Sequence, residues 1–373
     1  MRYVVFAAAA AFALPLPLSA QDAPVRASSA VVAQTKPQPG PADIVNAAPQ
    51  EDWVVIPPED LLVMTLAPDA EGNARKVVIQ LMPPPFSQGW TGNIRLLARE
   101  RWYDGTSVNR VQDNYVVQWG DPNYDNPEAD GKAKPLPDGL RVMDESAYIT
   151  SLPQRVQEAL ESNLRRRLSE RMAHDGIESD GSRSSNPSEE QKADAFLADP
   201  YAAMHSWFAG WPFALDPNRQ SVGNGKPMAW PVHCYGMVGV GRNLSPDTGS
   251  GAELYTVIGH APRHLDRNIA LVGRVIGGME YLSSLPRGSG ALGFYSAEER
   301  DKRTPILSIR IASDLPEEER PLYEYLSTES DTFAHYAEAR ANRRDPFFIV
   351  PAGGADICNI PVPVRAFEYA DDE

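Results

Sequence analysis

Short apolar runs separated by turn residues are the feature that most constrains how this chain can fold. Six runs are rich in apolar residues and have polar residues, Gly or Pro within or beside them. They span residues 61–66, 76–82, 232–241, 254–258, 269–276 and 306–311. Runs of this length and composition are typical of β-strands. Because few helical patterns interrupt them, the sequence predicts a barrel or a sandwich of short strands.

The predicted β-structure also contains a hairpin, two helices and one further strand. Turn residues 68–73 join the first two runs into a hairpin. Over 87–101, apolar residues recur at helical spacing, which predicts an amphipathic helix. Residues 109–119 alternate partly between polar and apolar side chains and predict one strand. A short helix is expected over 277–285.

Residues 122–230 differ in character, and we predict that they form a helical insertion. Apolar residues recur at every fourth position from residue 156 to residue 172, which predicts a helix. Residues 176–194 are rich in Ser, Asp, Glu and Gly and are expected to form a loop. The segment 196–215 is dense in aromatic residues, which we interpret as a small core rather than a ligand site.

The N-terminal segment indicates export. Residues 1–20 combine Arg2, an apolar run and a Leu-Ser-Ala end, which is typical of a cleavable signal peptide. We therefore predict a periplasmic or secreted protein, with cleavage near Ala20. Residues 21–50 are rich in Ala, Pro and Gln without an apolar period, which predicts a flexible leader.

The remaining chain is predicted to be one domain with an extension. The domain spans 53–313 and contains the insertion at 122–230. Residues 314–373 form a C-terminal extension, in which a helix is expected over 317–344, followed by an extended tail.

The charge of the chain limits its partners. It contains 35 Lys and Arg against 50 Asp and Glu, a formal net charge of −15. A chain this acidic does not attract nucleic acid or anionic lipid. Beyond the first 20 residues no apolar run is long enough to cross a bilayer, so stable membrane insertion is not expected. The sequence leaves the oligomeric state open.

The two cysteines, Cys234 and Cys358, have two interpretations. An exported protein can keep a disulfide, and a bond between them would close a long loop. Two separate buried thiols are the alternative. Sequence does not show proximity, so both interpretations stay open at this point.

Two other motifs do not support a site. Residues 236–241 read GMVGVG, but this spacing reverses that of the dinucleotide-binding fingerprint. His260 and His264 are four residues apart, but Pro262 between them argues against the shared helix face of a zinc pair.

Four segments in order match one known family pattern. Residues 102–111 read WYDGTSVNRV, and residues 114–122 read NYVVQWGDP. Residues 251–257 read GAELYTV, and residues 265–275 read LDRNIALVGRV. Together they resemble the cyclophilin family of peptidyl-prolyl cis/trans isomerases. The resemblance implies an eight-stranded antiparallel β-barrel capped by two helices.

The implied reaction is rotation about an Xaa-Pro bond. Resonance opposes this rotation by about 18–20 kcal/mol, and nothing is broken or transferred. A catalyst therefore has only to bind the twisted state better than the planar ones, and no cofactor or metal is implied. Three features meet this need. They are a cationic donor for the prolyl nitrogen, an apolar pocket for the ring, and polar groups that bind the flanking backbone. The implied substrates are proline-containing polypeptides.

The resemblance assigns these roles to particular residues. Arg110 corresponds to the catalytic cation, and Gln118 to the glutamine that binds substrate backbone. If 109–119 is one strand, these two residues share a face because they are eight apart. The other substrate-binding positions that the resemblance implies are Tyr115, Val116, Gly241, Arg242, Tyr255, His264, Leu265 and Ile269.

Several positions depart from the family pattern. Val108 and Asn109 replace a Phe-His pair, and Tyr255 replaces the phenylalanine of the pocket floor. His264 stands at the tryptophan associated with cyclosporin binding, and Ile269 at a pocket histidine. The Tyr255 hydroxyl needs a hydrogen-bond partner or water in an apolar floor.

Three functions remain as hypotheses. The first is an active isomerase that assists the folding of exported proteins. The second is a peptide-binding module on a degenerate barrel that does not accelerate isomerisation. The third is an assembly protein whose function lies in the insertion and the C-terminal extension.

Overall fold

An eight-stranded antiparallel sheet forms the centre of the structure. The computed structural model describes residues 38–368, with the exceptions of 125, 155, 159, 161, 163, 164, 166–198 and 217–226. The predicted signal peptide, most of the predicted leader and the predicted loop at 176–194 lie outside the described residues. In the described part, no helix is long and apolar enough to cross a membrane.

The strands of the described residues are short, as the sequence predicts. The strands are β1 (Trp53–Val55), β2 (Leu61–Leu66), β3 (Arg75–Leu81), β4 (Ser107–Val111), β5 (Val116–Gly120), β6 (Thr150–Ser151), β7 (Met204–Phe208), β8 (Trp211–Asp216), β9 (Met228–Pro231), β10 (Met237–Val240), β11 (Leu254–Val257), β12 (Leu271–Gly277), β13 (Ile306–Ile311), β14 (Tyr323–Leu326) and β15 (Val364–Ala366). Besides helical residues between 154 and 165, the α-helices of the described residues are α1 (Pro41–Asn46), α2 (Gln88–Arg99), α3 (Glu280–Ser283) and α4 (Asp331–Ala341).

The central sheet has the strand order β13-β2-β3-β12-β10-β11-β5-β4. Main-chain hydrogen bonds also join its two edges. The amide of Val108 donates to the carbonyl of Thr304 at 2.9 Å, and that of Ile306 donates to Thr106 at 2.8 Å. The eight strands therefore form a nearly closed antiparallel barrel, which confirms the predicted fold.

The interior of the barrel is apolar because strands alternate their side chains between two faces. Met64, Ile79 and Trp119 are fully buried there, and Trp90 and Ile94 of α2 pack against the same core. Burying each side chain of this size contributes about 1.5–3 kcal/mol. The apolar residues that recur at helical spacing in the sequence therefore form the face of α2 that packs on the barrel.

The insertion contains more β-structure than predicted. Residue 154 and several described residues as far as 165 are helical, but the strands β6, β9, β8 and β7 form a second, four-stranded sheet in that order. The prediction of a helical insertion was therefore wrong for this sheet. Its aromatic side chains Trp207, Trp211 and Phe213 are buried in a second core, as the predicted small core requires.

The C-terminal extension was also predicted incorrectly in part. The helix expected over 317–344 is limited to α4, and β14 precedes it. β14 pairs with β1 on one side and with β15 on the other. Pairing with two distant strands overrides the helical tendency of this Glu-rich segment. Within the paired strand, Glu324 is buried and forms an ion pair with Arg365.

The predicted leader ends earlier than expected. Residues 41–46, which the sequence places in a flexible leader, form α1 and lie against α4. Cys234 and Cys358 form a disulfide, with 5.1 Å between their Cα atoms. This bond resolves the two interpretations of the cysteines and ties the extension to the barrel.

Candidate active site

The two central residues of the candidate site lie on neighbouring strands. The sequence predicts one strand over 109–119, but the chain turns at 112–115, where Asn114 adopts the left-handed conformation with φ of 50°. Arg110 on β4 and Gln118 on β5 are direct cross-strand partners. They therefore meet through strand pairing rather than through a shared face of one strand.

Arg110 is held by three acceptors and two rings. Its Nε donates to the carbonyl of Leu292 at 2.7 Å, its Nη1 to Oε1 of Gln118 at 3.2 Å, and its Nη2 to Oε1 of Gln112. The guanidinium also lies 5.6 Å from the ring centre of Tyr115 and 5.5 Å from that of Phe294. These contacts fix the orientation of its plane.

The guanidinium keeps donor capacity for a ligand. Arg has five N–H groups, so three bonds leave two of them unused. Among the described residues, no carboxylate forms an ion pair with Arg110; Asp113, three residues further along the chain, pairs with Arg287. Burial lowers the pKa of Arg110, but a guanidinium stays protonated under all ordinary conditions. The site therefore presents a positive charge that forms no ion pair with a carboxylate of the described residues.

A cavity of about 540 Å³ opens beside this guanidinium. Val116 and Tyr255 form a small buried apolar cluster at its floor, and Tyr115, Leu265 and Ile269 pack against them. The cavity thus combines an apolar floor with the donor of Arg110 and the amide of Gln118 at its edge.

Tyr255 brings a hydroxyl into this floor, and the structure provides its partner. The side chain is 5 % exposed, and its hydroxyl lies 2.9 Å from Nε2 of His233. Burial raises the pKa of Tyr255 well above its ordinary value, so the phenol stays protonated. His233 was not predicted, but a hydroxyl in an apolar floor signals that such a partner exists.

Gly241 and Arg242 line the cavity just beyond β10. The amide of Gly241 donates to the carbonyl of Glu253 at 2.8 Å. A Cβ on Gly241 would lie 2.9 Å from Cβ of Glu253, so only glycine fits without displacement. Arg242 donates through Nε and Nη2 to the carbonyl of Asn268, at 2.9 and 2.8 Å.

The structure brings nine of the ten predicted site residues into the lining of one cavity. The exception is His264, which is exposed and is not part of the lining. Lining residues that the sequence analysis missed are Tyr124, Asn126, Pro127, Ala129, Glu253, Leu292 and Phe294. Most of them lie in loops, where no periodic pattern indicates which side chain faces inward.

Comparisons with known proteins agree with this geometry. The sequence model of the family described as cyclophilin type peptidyl-prolyl cis-trans isomerase/CLD matches residues 77–312. A search of curated proteins finds no match. The crystal structure of the cyclophilin AquaCyp293 from Hirschia baltica is similar, with a TM-score of 0.54 and 18 % identity over 86 % of this chain and 95 % of that chain.

A second solved structure is a cyclophilin-type peptidyl-prolyl cis-trans isomerase from Cryptosporidium parvum in the presence of the dipeptide Ala-Pro. It has a TM-score of 0.29 and 10 % identity over 67 % of this chain and 98 % of that chain. The family match extends over most of the chain, from β3 to the end of β13, and includes both strands that carry Arg110 and Gln118. The chain therefore belongs to the cyclophilin-type peptidyl-prolyl cis-trans isomerase family.

Proposed function

We propose that this chain is a catalytically active peptidyl-prolyl cis/trans isomerase that acts on proline-containing polypeptides. One observation carries the proposal. The guanidinium of Arg110 has no carboxylate partner among the described residues, keeps two N–H groups free, and borders an apolar cavity. These are the features that the twisted prolyl bond requires.

The proposed mechanism needs only differential binding. The proline ring lies on the apolar floor formed by Val116, Tyr255 and Leu265. When the amide twists, its nitrogen loses conjugation and becomes a hydrogen-bond acceptor, to which Arg110 donates. Gln118 binds the flanking backbone. Because this acceptor exists only in the twisted state, the donor stabilises the transition state without stabilising the ground state. The barrier to rotation is therefore lowered.

The test is the exchange rate between cis and trans forms of a short Xaa-Pro peptide, measured by NMR. We expect Arg110→Ala to reduce kcat/KM by about 100-fold, as removal of one transition-state donor does in other enzymes. The matched control is Arg99→Ala, because Arg99 is 55 % exposed and pairs with Asp314 on the surface. Equal rates for wild type and Arg110→Ala would contradict the proposal.

A peptide-binding module without catalysis is the second candidate. It is favoured by the three protein acceptors that already engage Arg110, because they restrict its movement toward a substrate. Peptide binding in a chemical-shift titration, together with a wild-type exchange rate equal to that of free peptide, would establish this candidate and exclude the first.

We also propose that the substrates are exported proteins. The support is the signal-like sequence of residues 1–20 and the disulfide, since disulfides persist mainly in oxidising compartments. Expressed in a bacterium with its own N-terminus, the protein is expected in the periplasmic fraction, beginning near Gln21. Recovery of the uncleaved chain in the cytoplasm would contradict export.

A further inference from the structure

A chain of buried polar groups leads away from the floor of the cavity. The hydroxyl of Tyr255 contacts Nε2 of His233 at 2.9 Å, and Nδ1 of His233 contacts Oδ1 of Asp266 at 2.8 Å. Asp266 accepts from Nε of Arg263 at 2.6 Å, and Nη2 of Arg263 donates to Asp199 at 2.6 Å. None of these side chains except that of Tyr255 lines the cavity.

Asp266 determines which ring nitrogen of His233 carries the proton. Its Oδ1 accepts from the main-chain amide of His233 at 2.9 Å as well as from Nδ1. A carboxylate oxygen can only accept, so Nδ1 must be protonated. Burial alone would lower the pKa of Arg263, but Asp266 and Asp199 outweigh that effect and raise it, so Asp266 faces a permanent cation.

The tautomer of His233 in turn orients the Tyr255 hydroxyl. In a neutral imidazole with a proton on Nδ1, Nε2 is an acceptor, and the hydroxyl must be the donor. His233 is 1 % exposed, so this bond directs the hydroxyl hydrogen into the protein and away from the cavity. The face of the ring is then what the cavity presents to a ligand.

Gly239 provides the space for this arrangement. It is the cross-strand partner of Tyr255 on β10. A Cβ at residue 239 would lie 2.3 Å from the Tyr255 hydroxyl oxygen and 2.4 Å from the ring carbon that bears it. The phenol end of the side chain therefore occupies a slot between a glycine and a histidine.

We propose that His233, with its tautomer set by Asp266, is a positioning residue that holds the Tyr255 hydroxyl out of the cavity, so that the floor stays apolar for a proline ring. The inference rests on the proposed function and deepens it. His233 contacts no substrate and acts only through Tyr255. Without it, the hydroxyl needs water or another partner, and the floor becomes hydrated.

The test is a double-mutant cycle on the KM for an Xaa-Pro peptide. In the presence of Tyr255, we expect His233→Ala to raise KM about tenfold with little change in kcat. In the Tyr255→Phe background, the same change should alter KM less than about twofold, because no hydroxyl remains to be held. His233→Gln, which can offer an acceptor oxygen, should restore KM to within about threefold of wild type.

An equal rise of KM in both backgrounds would overturn the inference, because His233 would then only support the fold. ¹⁵N NMR of wild-type His233 gives a readout that needs no variant. The inference requires the proton on Nδ1, and a proton on Nε2 would overturn it even if His233→Ala does not fold.

A binding measurement separates this inference from the proposed function. The dissociation constant of a proline peptide is measured by chemical-shift titration of wild type, His233→Ala, Tyr255→Phe and the double variant. If wild type shows no isomerisation, the function fails. The background-dependent change in peptide affinity would still support the role of His233, and its absence would refute it.

Discussion

At the scale of single residues, the site depends on the planar shape of one guanidinium. Arg110 binds acceptors from three places in the chain, Gln112, Gln118 and Leu292. A guanidinium can do this because its five donors spread in one plane, whereas an ammonium is a compact point charge. We therefore expect that charge alone is not sufficient for the proposed reaction.

Arg110→Lys tests the contribution of shape at constant charge. We expect kcat/KM to fall about tenfold or more, because lysine cannot bind Leu292 and Gln118 and still face the prolyl nitrogen. NMR exchange measures the rate, and Arg99→Lys, at a surface pair, should change it less than about twofold. A fully active Arg110→Lys protein would show that only the charge matters.

At the scale of elements, the loop over residues 288–302 completes the site. It contributes the carbonyl of Leu292 and the ring of Phe294, both of which contact Arg110. Glu299 holds the loop by accepting from the amides of Ser289 and Ser296, at 2.9 and 3.1 Å, and from Nζ of Lys302 at 2.7 Å. The Lys302 bond, followed by these two amides, lowers the pKa of Glu299 to about 2.

This lowered pKa predicts an acid-dependent contribution to stability. The folded-state pKa of about 2 is below the ordinary 4.5, so ionised Glu299 stabilises the fold fully above pH 4.5. The contribution is lost as the pH falls toward 2. We expect Glu299→Gln to be less stable than wild type at pH 7, with a difference that shrinks between pH 4.5 and 2.

Urea unfolding midpoints measured from pH 7 to pH 2 check this expectation. Glu51→Gln is a suitable control, because the Glu51 side chain is exposed. The difference between its urea midpoint and that of wild type should stay the same at every pH. If the difference for Glu299→Gln also stays the same at every pH, the assigned role of Glu299 in the loop is contradicted.

The elements that could be predicted from the sequence are those with local signals. The hairpin of β2 and β3, helix α2 and strand β13 follow from apolar periodicity and turn residues. The break between β4 and β5 was missed because 112–115 contains no Gly or Pro, and Asn114 adopts positive φ instead. Strand β14 was missed because its partners β1 and β15 are far away in the sequence.

The candidate site shows the same division. Residues on strands, such as Arg110, Gln118 and Tyr255, could be found because the family pattern includes them. His233 and Phe294 could not, since their contacts depend on how separate segments pack. His264 shows the opposite error, because a position matched by pattern alone is exposed outside the cavity.

At the scale of the whole molecule, the described residues form two large cores. The first fills the barrel, and the second includes residues of the insertion and of the extension. Arg263 links the insertion and the extension to the residues behind the cavity floor, because it binds Asp199 and Asp266 and lies 3.8 Å from Asp356. The sulfur of Cys358 also lies 3.7 Å from the carbonyl oxygen of His233. The additions to the barrel thus surround the residues that support its floor.

Loss of the disulfide should therefore weaken the entire fold. Cys234 and Cys358 are 124 residues apart, and a loop of that size corresponds to about 4–5 kcal/mol in the chain-entropy description. We expect the paired variant Cys234→Ser with Cys358→Ser to lose stability of that order in urea unfolding. Reduction of wild type with dithiothreitol should give the same loss, whereas a wild type insensitive to the reductant would contradict this prediction.

The hydrogen bonds that close the barrel also determine when the cavity beside Arg110 can form. They join Thr106 and Val108 to Thr304 and Ile306, at opposite ends of the family domain. A nascent chain cannot complete this seam until nearly the entire domain has been synthesised, and Arg110 lacks Leu292 and Phe294 until that moment. Because folding through such distant contacts is slow, we expect the cavity beside Arg110 to be among the last parts of the domain to assemble.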